Sequence, residues 1–193
     1  MVHFNPSYMV GKCVAEPNDA KLLETVLFDR LYWDRLDAGT ITDEEVLAAC
    51  KARLPERLWA VAEEVYWTWI YNIPEIEGMS KLVKELKEKH GKHVFLLSNI
   101  STYFAEHAAE IPCLADFEKR IYSAVCGKVK PSAEIFAYLC ETCQIEPTET
   151  IFIDDSPKNI AGANAVGIEG YLFDGDVERL REYLAKRLEI QAL

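Results

Sequence analysis

The chain has 193 residues, half of them hydrophobic and 27% charged, with 9 glycines and 8 prolines; that balance excludes collagen, coiled coil and disorder and leaves room for one core with a small appended subdomain. Its 21 basic residues against 32 acidic ones give a formal charge of −11, a field that repels phosphate backbones and anionic lipid, and no basic patch overrides it. The longest stretch free of Asp, Glu, Lys and Arg, residues 93–105, has 13 residues, short of the ~20 that a membrane-spanning helix requires.

Nucleic acid and membrane are therefore not expected as partners. The opening MVHFNPSYMVGK has neither the basic leader nor the apolar core of a secretion signal, so a reducing cytoplasm is the expected location. Residues 19–71 carry a helical pattern, with Leu58, Val61, Ala62, Val65 and Trp69 on one face. Thr42 and Glu45 have the spacing of a capping box, which fixes a helix start after the turn at Gly39. The tryptophans Trp33, Trp59, Trp67 and Trp69 are expected to pack this helical part, the alternative for some of them being to line a substrate pocket facing the sheet. Beyond residue 77 the pattern changes to short apolar runs, Val94–Leu97, Ile121–Val125, Thr150–Ile153 and Tyr171–Phe173. Amphipathic helices separate them near Gly78–Lys89, Ser101–Glu110, Ser132–Cys143 and Pro157–Val166, and Val177, Leu180, Leu184 and Leu188 mark a last helix. Strand and helix alternate, which implies right-handed crossovers and a parallel sheet covered on both faces.

In such sheets, reactive groups collect where strands end and helices begin. Three strand ends carry polar residues. Ser98-Asn99 places a hydroxyl and the following amides at the sheet mouth, where they can hold a phosphate oxygen or merely cap a helix. Lys130, held beside Pro131, offers a point charge for a phosphoryl group or for crowded carboxylates. Asp154 and Asp155 at the end of a buried strand repel one another and call for a positive partner. Mg2+ fits, because it takes one or two carboxylates and leaves positions for water and substrate phosphate. The competing reading is that the two aspartates only cap the helix near Pro157. Cys140 and Cys143 have C-x-x-C spacing but share an apolar helical stripe with Phe136 and Leu139, so they and the other cysteines (Cys13, Cys50, Cys113, Cys126) read as small buried hydrophobes.

Taken in chain order, LLSN ending at Asn99, a Lys130-Pro131 pair opening a helix, and FIDDS followed by Asn159 and Gly162-Ala163 resemble motifs II, III and IV of the haloacid dehalogenase-like (HAD) superfamily. The stretch Tyr32–Glu45 is similar to the helical cap of the subgroup that includes glucose-1-phosphate phosphatase-like enzymes. The resemblance implies an α/β fold, a Rossmann-like parallel sheet core formed by residues 1–11 and 76–193, with a small helical cap over 12–75. It implies a Mg2+-dependent phosphatase of small phosphorylated metabolites such as sugar phosphates, working through an aspartyl-phosphate. Ser98 and Asn99 would bind the phosphoryl group, Lys130 would act with Ser98 in catalysis and hold phosphate and nucleophile, and Asp154 and Asp155 would hold Mg2+.

One motif is lacking. The family places its nucleophilic aspartate after a first, central strand, lying between the strands that end at Ser98 and Asp154; here the first aspartate is Asp19, after Pro17-Asn18 rather than after a strand. The expectation is a core short of that strand, with the true start upstream of Met1 or with the flanking edges closed on each other. Residues 1–193 are then expected to be inactive, and the alternative function is a non-catalytic remnant that binds phosphate or a protein. A dehalogenase is disfavoured because it needs no metal, which would leave the Asp154-Asp155 pair without a charge partner. A receiver domain is disfavoured because its acidic pair lies early in the chain.

Overall fold

The computed structural model describes residues 1–190. Its first part is helical: α1 (Pro6–Gly11), α2 (Pro17–Leu27), α3 (Arg30–Asp37), α4 (Asp43–Ala52) and α5 (Trp59–Thr68). The local sequence starts these helices. Proline occupies the first position of α1 and α2, where a missing N–H costs nothing, and Asn5, Glu16 and Asp29 cap the amides that would otherwise be orphaned. The capping box of α4 is present in both directions, Glu45 N donating to Thr42 Oγ1 over 3.2 Å and Thr42 N to Glu45 Oε2 over 2.9 Å. Val10, Leu23, Leu27, Val46, Cys50, Ala62 and Val65 form the core of this helical part.

The tryptophans divide. Trp33 and Trp69 are buried in a second cluster with Met9, Val83, Phe104 and Tyr122, so they form the seam between the helical part and the rest. Trp59 is 40% exposed and donates to the carbonyls of Lys51 and Leu54 at the end of α4.

The remainder alternates: α6 (Met79–Glu88), β1 (Phe95–Ser98), α7 (Thr102–His107), β2 (Lys119–Tyr122), α8 (Ser123–Cys126), α9 (Ala133–Cys143), β3 (Ile151–Asp154), α10 (Pro157–Ala165), β4 (Glu169–Leu172) and α11 (Val177–Arg187). Strands pair in parallel, β1 with β2 in the register Leu97 opposite Ile121, and β3 with β4 in the register Ile153 opposite Tyr171. Helices α9 and α10 cover both pairs through Phe136, Leu139, Ala163 and the strand residues Leu97, Ile121 and Phe152, and Cys140 and Cys143 pack there as expected of small hydrophobes. All six cysteines are free. No helix among the described residues is long and apolar enough to cross a membrane.

Two features depart from the pattern reading. The apolar run at Ile121–Val125 is strand only as far as Tyr122. Ser123 turns the chain into α8, because its hydroxyl accepts from Ile100 N over 2.9 Å, and Gly127, at φ 65°, ends the turn in the left-handed region; Val125 is left 63% exposed. The sheet also consists of two separate two-stranded ladders among the described residues. On the paired edges, Val94 O accepts from Glu118 N and Asp154 O from Phe173 N. On the opposite edge of β1, Leu97 O accepts a side chain, the Lys130 ammonium, in place of a strand.

Candidate functional site

The loops after β1, β2 and β3 meet at Lys130. Its Nζ donates to Asp154 Oδ2 over 2.7 Å and to Leu97 O over 3.1 Å, and it stands 5.4 Å from the centroid of the Phe152 ring. Both members of the ion pair are enclosed, their side chains 9% and 8% exposed, so neither tolerates loss of the other.

The lysine is held from its backbone as well. Asn99 Oδ1 accepts from Lys130 N over 2.8 Å, and Asn99 Nδ2 donates to Lys130 O over 3.0 Å. This two-point clamp ties the end of β1 to the turn that carries the lysine, 31 residues later. The Lys130–Pro131 peptide is cis, and α10 presses on it. A Cβ at Gly162 would lie 2.5 Å from Pro131 O and 2.9 Å from Pro131 Cβ, so only glycine permits that approach.

Asp154 accepts three hydrogen bonds. Its Oδ1 accepts from Ser156 N over 2.9 Å and from Asn159 Nδ2 over 3.0 Å, while Oδ2 takes the lysine. Asp155, the next residue, is exposed and makes no hydrogen bond or ion pair among the described residues. Asp154 is the last residue of β3 and Asp155 follows it, so the contacts that enclose the first leave the second exposed. Ser98, at the end of β1 opposite Tyr122, is half-buried, and no described residue engages its hydroxyl.

The structure thus brings Lys130, Asp154, Asn99 and the end of β1 into one contact network. Within it, Asn99 positions the lysine through both of its amide atoms. Asn159 also orients Asp154, a link that an asparagine one turn into a helix does not announce in the sequence. No group of three or more His, Cys, Asp or Glu side chains that could hold a metal occurs among the described residues. Two concavities lie elsewhere. One of about 530 Å3 is bordered by Asp43, Glu44, Trp67, Tyr103 and Glu106, another of about 640 Å3 by Lys81, Asp176 and Arg181, and neither includes the Lys130 network.

Parallel strands whose ends present hydroxyl, ammonium and carboxylate in this order form an α/β core with its polar residues gathered at one end of the sheet. The model of the haloacid dehalogenase-like hydrolase family matches residues 19–167, and the chain belongs to that family. It is 30% identical over 116 residues to a D-ribitol-5-phosphate phosphatase from Bacteroides thetaiotaomicron, a match that covers 56% of this chain and 56% of the relative, so little more than half of that enzyme is represented. It is 26% identical over 166 residues to a sesquiterpene phosphatase from Aspergillus oryzae, covering 83% of this chain and 78% of the relative. Among solved structures, a HAD family enzyme from Bacteroides thetaiotaomicron in complex with magnesium and inorganic phosphate superposes with a TM-score of 0.62 at 21% identity, over 93% of this chain and 91% of that one. At that identity the likeness speaks for the fold alone.

Proposed function

We propose that the Lys130 network is the phosphate site of a magnesium-dependent phosphatase acting on small phosphorylated metabolites of the sugar- or polyol-phosphate kind. The observation that carries this reading is an enclosed ammonium, fixed by Asp154 and Asn99, beside an unengaged hydroxyl and an unengaged carboxylate. Ser98 Oγ donates to a phosphoryl oxygen. Lys130 neutralises phosphoryl charge, and Asp154 and Asn99 keep its ammonium from rotating away. The helical segment 12–75 closes over the site as a cap.

The acids fit a magnesium ion in kind. A hard cation takes as few as one or two carboxylates and completes its shell with water and substrate phosphate; Asp155 supplies a free carboxylate, and Asp154 stands next to it. Asp155, with Asp154, would hold the ion, which when bound supplies charge neutralisation at the transferring group. A relative that hydrolyses ribitol phosphate and a fold neighbour crystallised with magnesium and phosphate support this choice.

The attacking carboxylate of an aspartyl-phosphate route has no candidate in residues 1–193. Asp19 sits in the first turn of α2, ion-paired with Arg57. Phosphate binding without turnover is the expected behaviour of these residues. An apolar strand ending in aspartate, supplied ahead of Met1, would take up the free edges of β1 and β3 and restore turnover. The test is Mg2+-dependent release of phosphate from p-nitrophenyl phosphate, with and without that strand, alongside calorimetry with Mg2+ and inorganic phosphate. Binding in both forms with turnover only in the longer one supports the proposal. Binding in both without turnover favours a non-catalytic phosphate-binding protein, and absence of binding in both removes the phosphate site.

A further inference from the structure

Two buried acids lie outside the network just described, and one of them, Asp43, accepts from Tyr66 Oη over 3.0 Å. Asp37 is the last residue of α3 and is 8% exposed, and its carboxylate accepts no hydrogen bond among the described residues. Its position is unfavourable twice over, because the C-terminal end of a helix is its negative end and an unpaired carboxylate loses hydration on burial. Among the described residues, the fully enclosed side-chain oxygens without a hydrogen bond are Glu85 Oε2, which faces Arg181 in an ion pair, and Tyr122 Oη. The Asp37 oxygens are not among them and keep a sliver of contact with solvent.

Helix α3 abuts α8. The backbone just beyond Asp37 lies directly on that helical turn, since a Cβ on Gly39, at φ +67°, would come 2.7 Å from Ala124 O. The chain leaving α8 runs straight into the turn that carries Lys130. Arg30 and Asp34, which pair with each other at the exposed end of α3, and Asp37 succeed one another at i, i+4 and i+7, so they line one polar face. Besides Arg30 and Asp34, the charge that acts on Asp37 is Lys130. A polar strip therefore descends from solvent at Arg30 to a desolvated acceptor at the end of the helix that abuts α8, the element leading into the Lys130 turn.

We propose that Asp37 is a specificity-determining residue, whose carboxylate accepts hydrogen bonds from hydroxyl groups of a polyhydroxylated phosphate ester while its phosphoryl group rests on Ser98 and Lys130. The inference rests on the phosphate-site reading above and narrows it. A carboxylate only accepts; it selects ligands with donors at that position and gives an alkyl phosphate nothing in exchange for desolvating it.

The experiment is calorimetry of the full chain with Mg2+, comparing D-ribitol 5-phosphate with ethyl phosphate, which carries the same charged group and no hydroxyls. Wild-type protein is expected to prefer the polyol ester by roughly tenfold, the scale of one hydrogen bond to a charged acceptor. Asp37→Ala is expected to bring the ratio close to one, and Asp37→Asn, whose amide oxygen still accepts but carries no charge, to lower it part-way, both leaving ethyl phosphate affinity in place. A ratio that survives both substitutions, a wild type that does not discriminate, or an equal loss of both ligands in the variants overturns the assignment and leaves the phosphate site standing. Wild-type protein that binds neither ester overturns the phosphate-site reading itself, and the role of Asp37 with it.

Discussion

Asp154 and Asp37 are the same residue with nearly the same shielding from water, and their surroundings are opposite. At the end of β3, Asp154 accepts from an ammonium, a backbone amide and an asparagine amide. At the end of α3, Asp37 accepts from nothing described, and burial pushes its carboxyl up to about 6, with the neighbouring Asp34 pushing the same way and Arg30 and Lys130 only partly opposing. Equal burial therefore does not give equal chemistry. An acid held by three donors is fixed in place within a site, whereas an acid kept buried and unoccupied lowers stability and is explained by what it can bind.

The largest effect should come from breaking the satisfied side of this pair. Lys130→Ala leaves Asp154 enclosed without its cation, an arrangement that typically costs about 3–5 kcal/mol, and removes phosphate binding together with it. Urea unfolding is the measurement. The comparison sharpens with Asp154→Leu added to Lys130→Met, because a matched apolar pair removes both charges; the double variant should recover much of the loss in stability and none of the phosphate binding. Equal stability of Lys130→Ala and wild type would show that the pair is solvated and contributes nothing.

The unsatisfied side should respond with the opposite sign. Because its pKa is raised on folding, from 3.8 to about 6, folded protein holds the Asp37 proton more tightly than unfolded protein. Its contribution to stability is therefore intact below about pH 4, declines as pH rises towards 6, and stays low above that. Asp37→Asn, which does not titrate, should match wild type near pH 4 and exceed it at pH 7.5 by up to about 3 kcal/mol, the size of a two-unit shift. Thermal unfolding at the two pH values reads the difference. A wild type as stable as the variant at pH 7.5 would mean that Asp37 has a partner after all.

The contrast between these acids bears on what the sequence discloses. The hydroxyl after Leu97, the lysine before Pro131 and the acids after Ile153 were legible because a parallel strand delivers its next residues to one end of the sheet whatever its neighbours are. Their division of labour was only half legible. The sequence presents Asp154 and Asp155 as one pair, and which of them meets Lys130 depends on a contact across 24 positions. The role of Asn99 was hidden for the same reason, since an asparagine after a strand looks like a turn former and here clamps the backbone of a distant residue. The strand expected to continue to Val125 stopped at Tyr122 because Ser123 bonds to Ile100, a tertiary contact that overrides β propensity. Asp37 did leave a trace, an acid in the last turn of a helix where the dipole disfavours it.

The smallest expected effect tests how rigid the frame around Asp154 is. Helix α10 reaches the Lys130 turn only because residue 162 lacks a side chain, and an added methyl would meet Pro131 O at 2.5 Å and the Phe136 ring at 3.1 Å. Overpacking of this kind typically costs about 1–3 kcal/mol, offset in part by the better helix propensity of alanine. In Gly162→Ala the added methyl presses on Pro131, the residue after Lys130, because the Phe136 ring on its other side is fully buried and cannot give way. Lys130 should then shift relative to Asp154, so phosphate affinity should fall by more than the loss in stability alone explains, while the preference of Asp37 for hydroxyl-bearing esters persists. If affinity holds while stability drops, the ammonium follows Asp154 rather than its own backbone, and the carboxylate, not the Asn99 clamp, sets its place.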